Sequence, residues 1–438
     1  SYIIRSMRKM FSHCLKLSYK DTAQQNSYVT IPRAANSFDN TEIAANVDED
    51  IIDSLTGGRL VGSVTSFENF AECPLRYYLR YGVDLKEREE FTFSPVNFGV
   101  VLHAVIREVC DEIKKNGESY YLISEEKRRE MVKRSVAAIT DIYQNSILKD
   151  SSRNSFMIKR MEDLADRTVW AMGEQLKCGD FVPFVFEHKF NMEVGDGDRK
   201  QLMSGTIDRV DICENGTDVY VRIIDYKTGK KDFNIVKTYY GIDIQLMVYM
   251  EAAMKLVAKM RPGKNVIPAG VFYYNISDPI VSATTESAEE IEDKIKGELR
   301  LKGMVNSDKD IAEKMDNTEG TSLNIPVSRK ADGGFDSRRS KVMNTEQFNI
   351  LGRFVDVRAV DTADRIAGGD IRRSPYKDGQ FSSCDRCPYG ALCGFSVDLA
   401  GCNYRKLKKF DDEVLWNNIK EGVDENGKKM DTGAEERD

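Results

Sequence analysis

The fold is decided by residues 202–229, LMSGTIDRVDICENGTDVYVRIIDYKTG. Two runs rich in β-branched and aromatic residues flank Asn215-Gly216, a dipeptide that favours a tight hairpin turn. The segment therefore reads as two antiparallel strands. Side chains alternate faces along a strand, so Asp225 and Lys227 point one way and Tyr226 the other. The partner strand brings Asp208 onto the same sheet near Asp225, given a matching register. Two carboxylates with a lysine form a hard-oxygen site suited to Mg²⁺ or Mn²⁺. A lysine there helps to position an attacking water and counters charge on a phosphate. The plain alternative is an exposed Asp-x-Lys pair at a strand end. It does not explain the Ile223-Ile224 run into the acid. Nor does it explain Gln245 and Tyr249, one turn apart on the helix expected over 241–258.

Outward from this hairpin, FVPFVFEHKFNMEV (181–194) and VIPAGVFYYNI (266–276) read as further strands. GVVLHAVIREVCDEIKKNG (99–117) reads as a helix opened by Gly99, with Leu102, Val105, Ile106, Val109 and Ile113 as its apolar stripe and His103 at the stripe's edge. SVTSFENFAECPLRYYLRYGVDLKERE (63–89) reads as two short helices. Thr65 and Glu68 have capping-box spacing, and Pro74 separates the helices with Cys73 at an N-cap position. Two more helices are expected over 125–178, and another from Asn344 to Ile366 with Asn344 and Gln347 as its capping box. Arg5 to Lys16 is compatible with a short helix, residues 318–341 read as a surface loop, and the last sixteen residues as a charged, frayed end. No internal repeat is visible.

The chain has 438 residues, with 64 Lys and Arg against 71 Asp and Glu, a net charge of −7. The mild acidity argues against wholesale coating of nucleic acid while leaving room for a local basic groove. A hydrophobic content of 41% excludes an intrinsically disordered chain, and the length suggests two to three domains. There is no apolar run long enough for a membrane span and no secretory leader pattern, so a cytoplasmic location is expected. The sequence starts at Ser1 and reads as a fragment of a longer chain. It lacks a Gly-x₄-Gly-Lys-Ser/Thr motif, so no ATP site is expected.

Nine cysteines in a reducing compartment are not a disulfide framework. Cys384, Cys387 and Cys393 have the spacing Cys-x₂-Cys-x₅-Cys, which suits a thiolate-held metal. Two residues compete as fourth ligand: Cys402, giving a structural zinc, or the distant Cys73, which like Cys387 is followed by proline at an expected helix N-terminus. Cys14, Cys110, Cys178 and Cys213 read as ordinary buried cysteines.

His103 in GVVLH, Asp208 in GTIDRVD, Asp225 and Lys227 in IIDYKTG, and Gln245 with Tyr249 in QLMVY together resemble the RecB-type nucleases of the PD-(D/E)xK superfamily. Within these, residues 63–89, YYGIDIQLMVY, PAGVFYYNISDP and the C-terminal cysteines resemble the AddB-type subunits of bacterial helicase/deoxyribonucleases, over about residues 60–410. The resemblance implies an α/β restriction-endonuclease-like core, a mixed central sheet flanked by helices, with a C-terminal Fe–S element. It implies that His103, Asp208, Asp225 and the Tyr226 carbonyl bind the divalent metal, that Lys227 is catalytic, and that Gln245 and Tyr249 support the site or contact DNA. Glu187 stands where related enzymes sometimes carry a further acid. A [4Fe–4S] cluster on Cys73, Cys384, Cys387 and Cys393 is implied as well, with a structural role.

On this reading, residues 1–62 join upstream helicase-like domains, 63–412 form the nuclease with Fe–S ligands at both ends, and 413–438 are a charged tail. The implied activity is hydrolysis of single-stranded DNA at double-strand breaks for recombination, in a heterodimer with an AddA helicase-nuclease. Arg209, Lys230 and Lys231 are the expected DNA contacts, with Arg76, Arg80, Arg372 and Arg373 as further basic residues near the site. Tyr77, Tyr78, Tyr239 and Tyr240 suit either base stacking or core packing. Two rival readings remain: a non-catalytic DNA-end binding module, and a stand-alone RecB-like exonuclease.

Overall fold

Apolar side chains on both faces of the central strands call for helical cover on both sides. The computed structural model describes residues 61–86, 95–142, 152–194, 201–282, 287–399 and 402–432. The helix expected over Arg5 to Lys16 and the polar stretch after it lie outside these residues.

Val61–Ser63 (β1) leads into helices Val64–Glu72 (α1) and Pro74–Tyr77 (α2), and a π-helical turn continues to Gly82. Three long helices follow, Pro95–Lys115 (α3), Glu125–Ile142 (α4) and Ser152–Lys177 (α5). Val182–Val194 (β2), Gln201–Asn215 (β3) and Asp218–Lys227 (β4) form an antiparallel meander. Ile235–Tyr239 (α6) and Gln245–Met260 (α7) precede Asn265–Asn275 (β5). Then come Ala288–Glu298 (α8), Lys302–Asn306 (β6), Lys309–Met315 (α9), Val342–Met343 (β7) and Thr345–Ala367 (α10). The C-terminal cysteines lie among Tyr376–Asp378 (β8), Phe381–Ser382 (β9), Gly390–Cys393 (α11) and Arg405–Lys406 (β10), before Asp412–Thr432 (α12).

The main sheet is mixed, ordered β1-β3-β4-β5-β6-β7, with β2 also on β3. The β4–β5 pair is parallel, so the chain crosses over through α6 and α7. Ile224, Tyr226, Phe272 and Tyr274 enter a core with α3, α4 and α5. Their neighbours Ile223, Val271 and Tyr273 enter a second core with α1, α7, α10 and α12. This is an α/β sandwich with the expected mixed sheet. No helix among the described residues is long and apolar enough to cross a membrane.

The hairpin turns at Gly216, whose φ of +59° suits glycine. The Asn344–Gln347 capping box is present. Other local expectations need correction. The N-cap of α1 is Ser63, whose hydroxyl accepts the Ser66 N–H, in place of Thr65. Helix α3 begins at Pro95, one turn before Gly99, because proline fits a first helical turn. The 318–341 segment is a loop, yet Ile325 and Val327 are buried in the first core. Buried Asp316 secures it by accepting from the Ser322 hydroxyl and the Asn324 amide. The segment expected as a tail from 413 opens as α12, with Leu415 and Ile419 buried against the second core.

Candidate active site

Strands β3 and β4 pair with Arg209 opposite Ile224, which sets Asp208 beside the Asp225–Tyr226 corner. Asp208 Oδ2 accepts the Tyr226 N–H at 2.7 Å. Asp225 and Lys227 share a face, and Lys227 Nζ lies 2.5 Å from Asp225 Oδ2. The first residue of α7 closes the group. Gln245 Nε2 donates to Asp225 Oδ1 at 3.1 Å and to the Tyr249 hydroxyl at 2.9 Å, while its Oε1 accepts from Lys227 Nζ at 3.0 Å. One amide thus orients both the acid and the amine, and Tyr249, one turn on, holds the amide. The Tyr226 ring points to the opposite core, edge-on to Tyr274.

Helix α3 brings His103 from the other layer. Its Nδ1 is 3.4 Å from Asp208 Oδ2 and 3.8 Å from Glu187 Oε1. The three residues offer ligand atoms within 4.8 Å of one another. Glu187 reaches this position from β2 with φ of +48°, a left-handed backbone that costs a non-glycine residue of order 1–3 kcal/mol. Such strain is often retained where a side chain has a task.

Negative charge is in excess here. Burial pushes the Asp225 carboxyl up to about 7; Asp208 pushes it the same way, and Lys227 opposes. Burial disfavours the His103 cation, but Asp208 and Glu187 outweigh it and hold the imidazole at about 10. One imidazole among carboxylates in a region that retains protons is a donor set that fits a divalent cation, whose charge would displace those protons.

Two residues behind the site are not part of it on the sequence reading: Glu68 is expected only as the capping-box partner of Thr65, and Asp243 is not singled out. Glu68 on α1 accepts the backbone N–H groups of Ile244 and Gln245 at 2.9 and 3.0 Å, capping α7. Burial pushes Glu68 up to about 7, Lys231 opposing and Asp243 adding to it. Asp243 accepts from the Tyr273 hydroxyl at 2.6 Å and pairs with Lys231 at 3.1 Å. No local spacing signals these contacts, apart from acids beside QLMVY and in SFENF.

The expected DNA contacts separate. Arg209 is 0% exposed and cannot touch DNA. It grips Asp211 with two bonds of 2.7 and 2.6 Å, and Arg222 completes a buried triad at 2.9 Å. Alternation puts Arg209 on the face opposite Asp208, and α3 to α5 cover that face. Lys231 is tied to Asp243, whereas Lys230 is exposed. Arg76 pairs with Glu72, and Arg372 with Asp370. Tyr77 packs edge-on against Phe70 and Tyr239 stacks on Phe354, so both serve as packing.

Cys73 ends α1 and starts α2. Burial raises its thiol, and backbone N–H groups of Arg76, Ser374 and Leu75 offset this, with Cys387 near enough to add its charge. Burial raises Cys384 to about 11, where Cys73, Cys387 and Cys393 all add. Burial likewise raises Cys393, with Cys73 and Cys387 contributing. Four cysteines therefore share one electrostatic neighbourhood across the fold. Among the described residues no three sulfurs lie mutually within 4.8 Å. Cys402 is buried.

Two acids, a lysine and an imidazole gathered at one sheet end suit metal-dependent phosphodiester hydrolysis, the chemistry of a nuclease domain. The sequence matches the PD-(D/E)XK nuclease superfamily over residues 62–394, and the chain belongs to that superfamily. More particularly, it is similar to the AddB-type subunits of ATP-dependent helicase/deoxyribonucleases. That of Lachnoclostridium phytofermentans is 34% identical over 399 residues, 89% of this chain and 34% of the relative. That of Caldanaerobacter subterraneus subsp. tengcongensis is 34% identical over 398 residues, 88% of this chain and 34% of the relative. That of Clostridium acetobutylicum is 34% identical over 383 residues, 85% and 33% respectively. The chain spans about a third of the length of these relatives.

Proposed function

We propose that this chain is the nuclease portion of an AddB-type subunit and hydrolyses phosphodiesters of single-stranded DNA. In this reading it works in the cytoplasm with an AddA-type helicase-nuclease, processing double-strand break ends for recombination. The nuclease runs from β1, paired to β3, through α12, whose Leu415 and Ile419 close the second core, and the stretch before Val61 joins it to helicase-like domains. The observation that carries the reading is the Gln245 amide, which bonds Asp225, Lys227 and Tyr249 together beside the His103, Glu187 and Asp208 cluster.

His103, Asp208, Asp225 and the Tyr226 carbonyl would hold the divalent ion, with Glu187 at hand as a further carboxylate. When bound, Mg²⁺ or Mn²⁺ supplies an activated water and charge neutralisation at the phosphate. Lys227, aimed by Gln245 and Asp225, adds a positive charge where the five-coordinate phosphorus centre of the transition state gains negative charge. Tyr249 fixes the amide, so the amine stays directed at the substrate. Lys230, exposed after β4, is the remaining candidate phosphate contact from that strand's end.

Cys73, Cys384, Cys387 and Cys393 hold a [4Fe–4S] cluster in this proposal. The support is their shared neighbourhood and the backbone N–H groups directed at the Cys73 sulfur. The cluster serves as a cross-link between the start and the end of the domain. Closing so long a loop stabilises chiefly by restricting the unfolded chain.

The deciding experiment is digestion of end-labelled single-stranded DNA with Mn²⁺ or Mg²⁺ by the wild type and by Asp225→Ala. Digestion by the wild type alone is expected. If both bind the DNA and both leave it intact, a non-catalytic end-binding module replaces the nuclease reading.

A further inference from the structure

A cleft of about 480 Å³ opens between the start of α1 and the β2–β3 pair. Its size falls in the range of ligand-binding clefts, about 300–1,000 Å³. Its polar lining residues are Ser63, Thr65, Lys189, Asn191, Ser204 and Thr206, of which Ser63 already caps α1 and the Ser204 hydroxyl donates to the Gly62 carbonyl. None of its lining residues is acidic. That matters in a chain with more acids than bases. Two other large clefts mix acids with bases, Asp361, Asp364 and Glu421 with Arg358 and Lys408 in one, Glu251 and Asp356 with Arg353 and Lys255 in the other. Of the three, this cleft offers a cation with no acid in its lining, which favours an anionic polymer.

The cleft also connects to the chemistry. Tyr249 forms part of its wall, and the hydroxyl of Tyr249 accepts from Gln245, which donates in turn to Asp225. Gly205 lines it as well. A Cβ there would lie 2.7 Å from the Phe190 ring and 3.1 Å from the Tyr249 ring. The bare backbone lets those two rings pack edge to face at 5.6 Å, which keeps Tyr249 in place. Lys189 is exposed, and among the described residues no carboxylate pairs with it, so its charge is available.

We infer that this cleft seats the backbone of single-stranded DNA next to the scissile phosphate. The inference rests on the nuclease reading and names where its substrate strand lies. Hydroxyl and amide groups bond phosphate oxygens and set position without reading sequence, and Lys189 supplies the countercharge. Tyr249 then links the seated strand to the amide that aims Lys227.

The test measures binding and digestion separately on the full chain. Binding of a fluorescein-labelled 15-mer of oligo(dT) is followed by anisotropy in EDTA over a range of salt. Lys189→Glu is expected to weaken binding about tenfold or more at low salt and to reduce the salt slope by about one. Thr206→Val removes one hydroxyl without changing charge and is expected to weaken binding less. Lys133→Glu, an exposed charge reversal on α4 across the sheet, is expected to bind like the wild type. In Mn²⁺, Lys189→Glu is expected to raise KM more than it lowers kcat. If Lys189→Glu and Thr206→Val bind and digest like the wild type, the cleft assignment is overturned while the nuclease reading stands. Weakened binding by a protein that digests nothing keeps the cleft and removes the catalytic reading.

Discussion

The Glu68 carboxylate accepts the backbone N–H of Gln245 at 3.0 Å across 177 residues of sequence. Because Gln245 is the first residue of α7, this bond fixes where the helix starts and where its amide side chain points. Glu68 is thus a positioning residue. Glu68→Ala is expected to lower the single-turnover cleavage rate by about 10²-fold, the scale of a 1 Å misplacement, with little change in KM. Glu68→Gln retains an acceptor oxygen and is expected to recover most of that loss. Equal losses in the two variants would point to general destabilisation instead.

The His103, Glu187 and Asp208 cluster predicts a graded response to metal. Glu187→Gln keeps the side-chain shape but removes a charge 3.8 Å from the imidazole. Its Mn²⁺ affinity by calorimetry is expected to fall about 10–100-fold, the usual cost of losing a supporting partner at a metal site. His103→Ala and Asp208→Asn are expected to lose more. An unchanged Mn²⁺ isotherm for Glu187→Gln would remove Glu187 from the site.

The buried triad predicts a stability effect unconnected with DNA. Asp211 is the only acid bonded to both Arg209 and Arg222 among the described residues, and all three are fully buried. Asp211→Ala leaves two guanidinium groups uncompensated and is expected to cost about 3–5 kcal/mol in urea unfolding. A cost within experimental error would mean that water or another acid replaces it.

The cysteine assignment predicts that Cys73→Ser loses iron and visible absorbance and melts at a lower temperature. Cys402→Ser is expected to keep its iron. Iron and zinc analysis of anaerobically purified protein reads both variants. Zinc that depends on Cys402 would reverse the assignment.

A pH dependence follows from Asp356 on α10. Burial and its hydrogen-bonded neighbour Glu251 push this carboxyl up to about 8, against Lys255. A carboxyl raised on folding binds its proton more tightly in the native state, so its contribution is full below the ordinary carboxylate range and fades as pH rises towards 8. Tm is therefore expected to fall over that window, and Asp356→Asn to flatten the slope. An unaltered slope in the variant would assign the dependence elsewhere.

The hairpin, its turn at Gly216, the shared face of Asp225 and Lys227, and the Gln245–Tyr249 pair were all legible in the sequence. Each depends on a period of two residues or on one helical turn, and such periods are local properties of the chain. The apolar stripe of α3 and the capping box at Asn344 were legible for the same reason. Arg209 was misread because alternation says which face a side chain takes, but not whether helices cover that face.

The amino-acid order therefore determined the strands, the helices and the residues able to do hydrolytic chemistry at their ends. Tertiary structure alone decided that Glu68 caps α7 and that Glu187 joins His103 through a strained backbone, and spacing by itself left open whether Cys73, more than 300 residues upstream, or Cys402 neighbours the C-terminal cysteines. These contacts join separate elements at the sheet's edge and between layers. Packing sets such distances, and packing leaves no repeating signature along the chain.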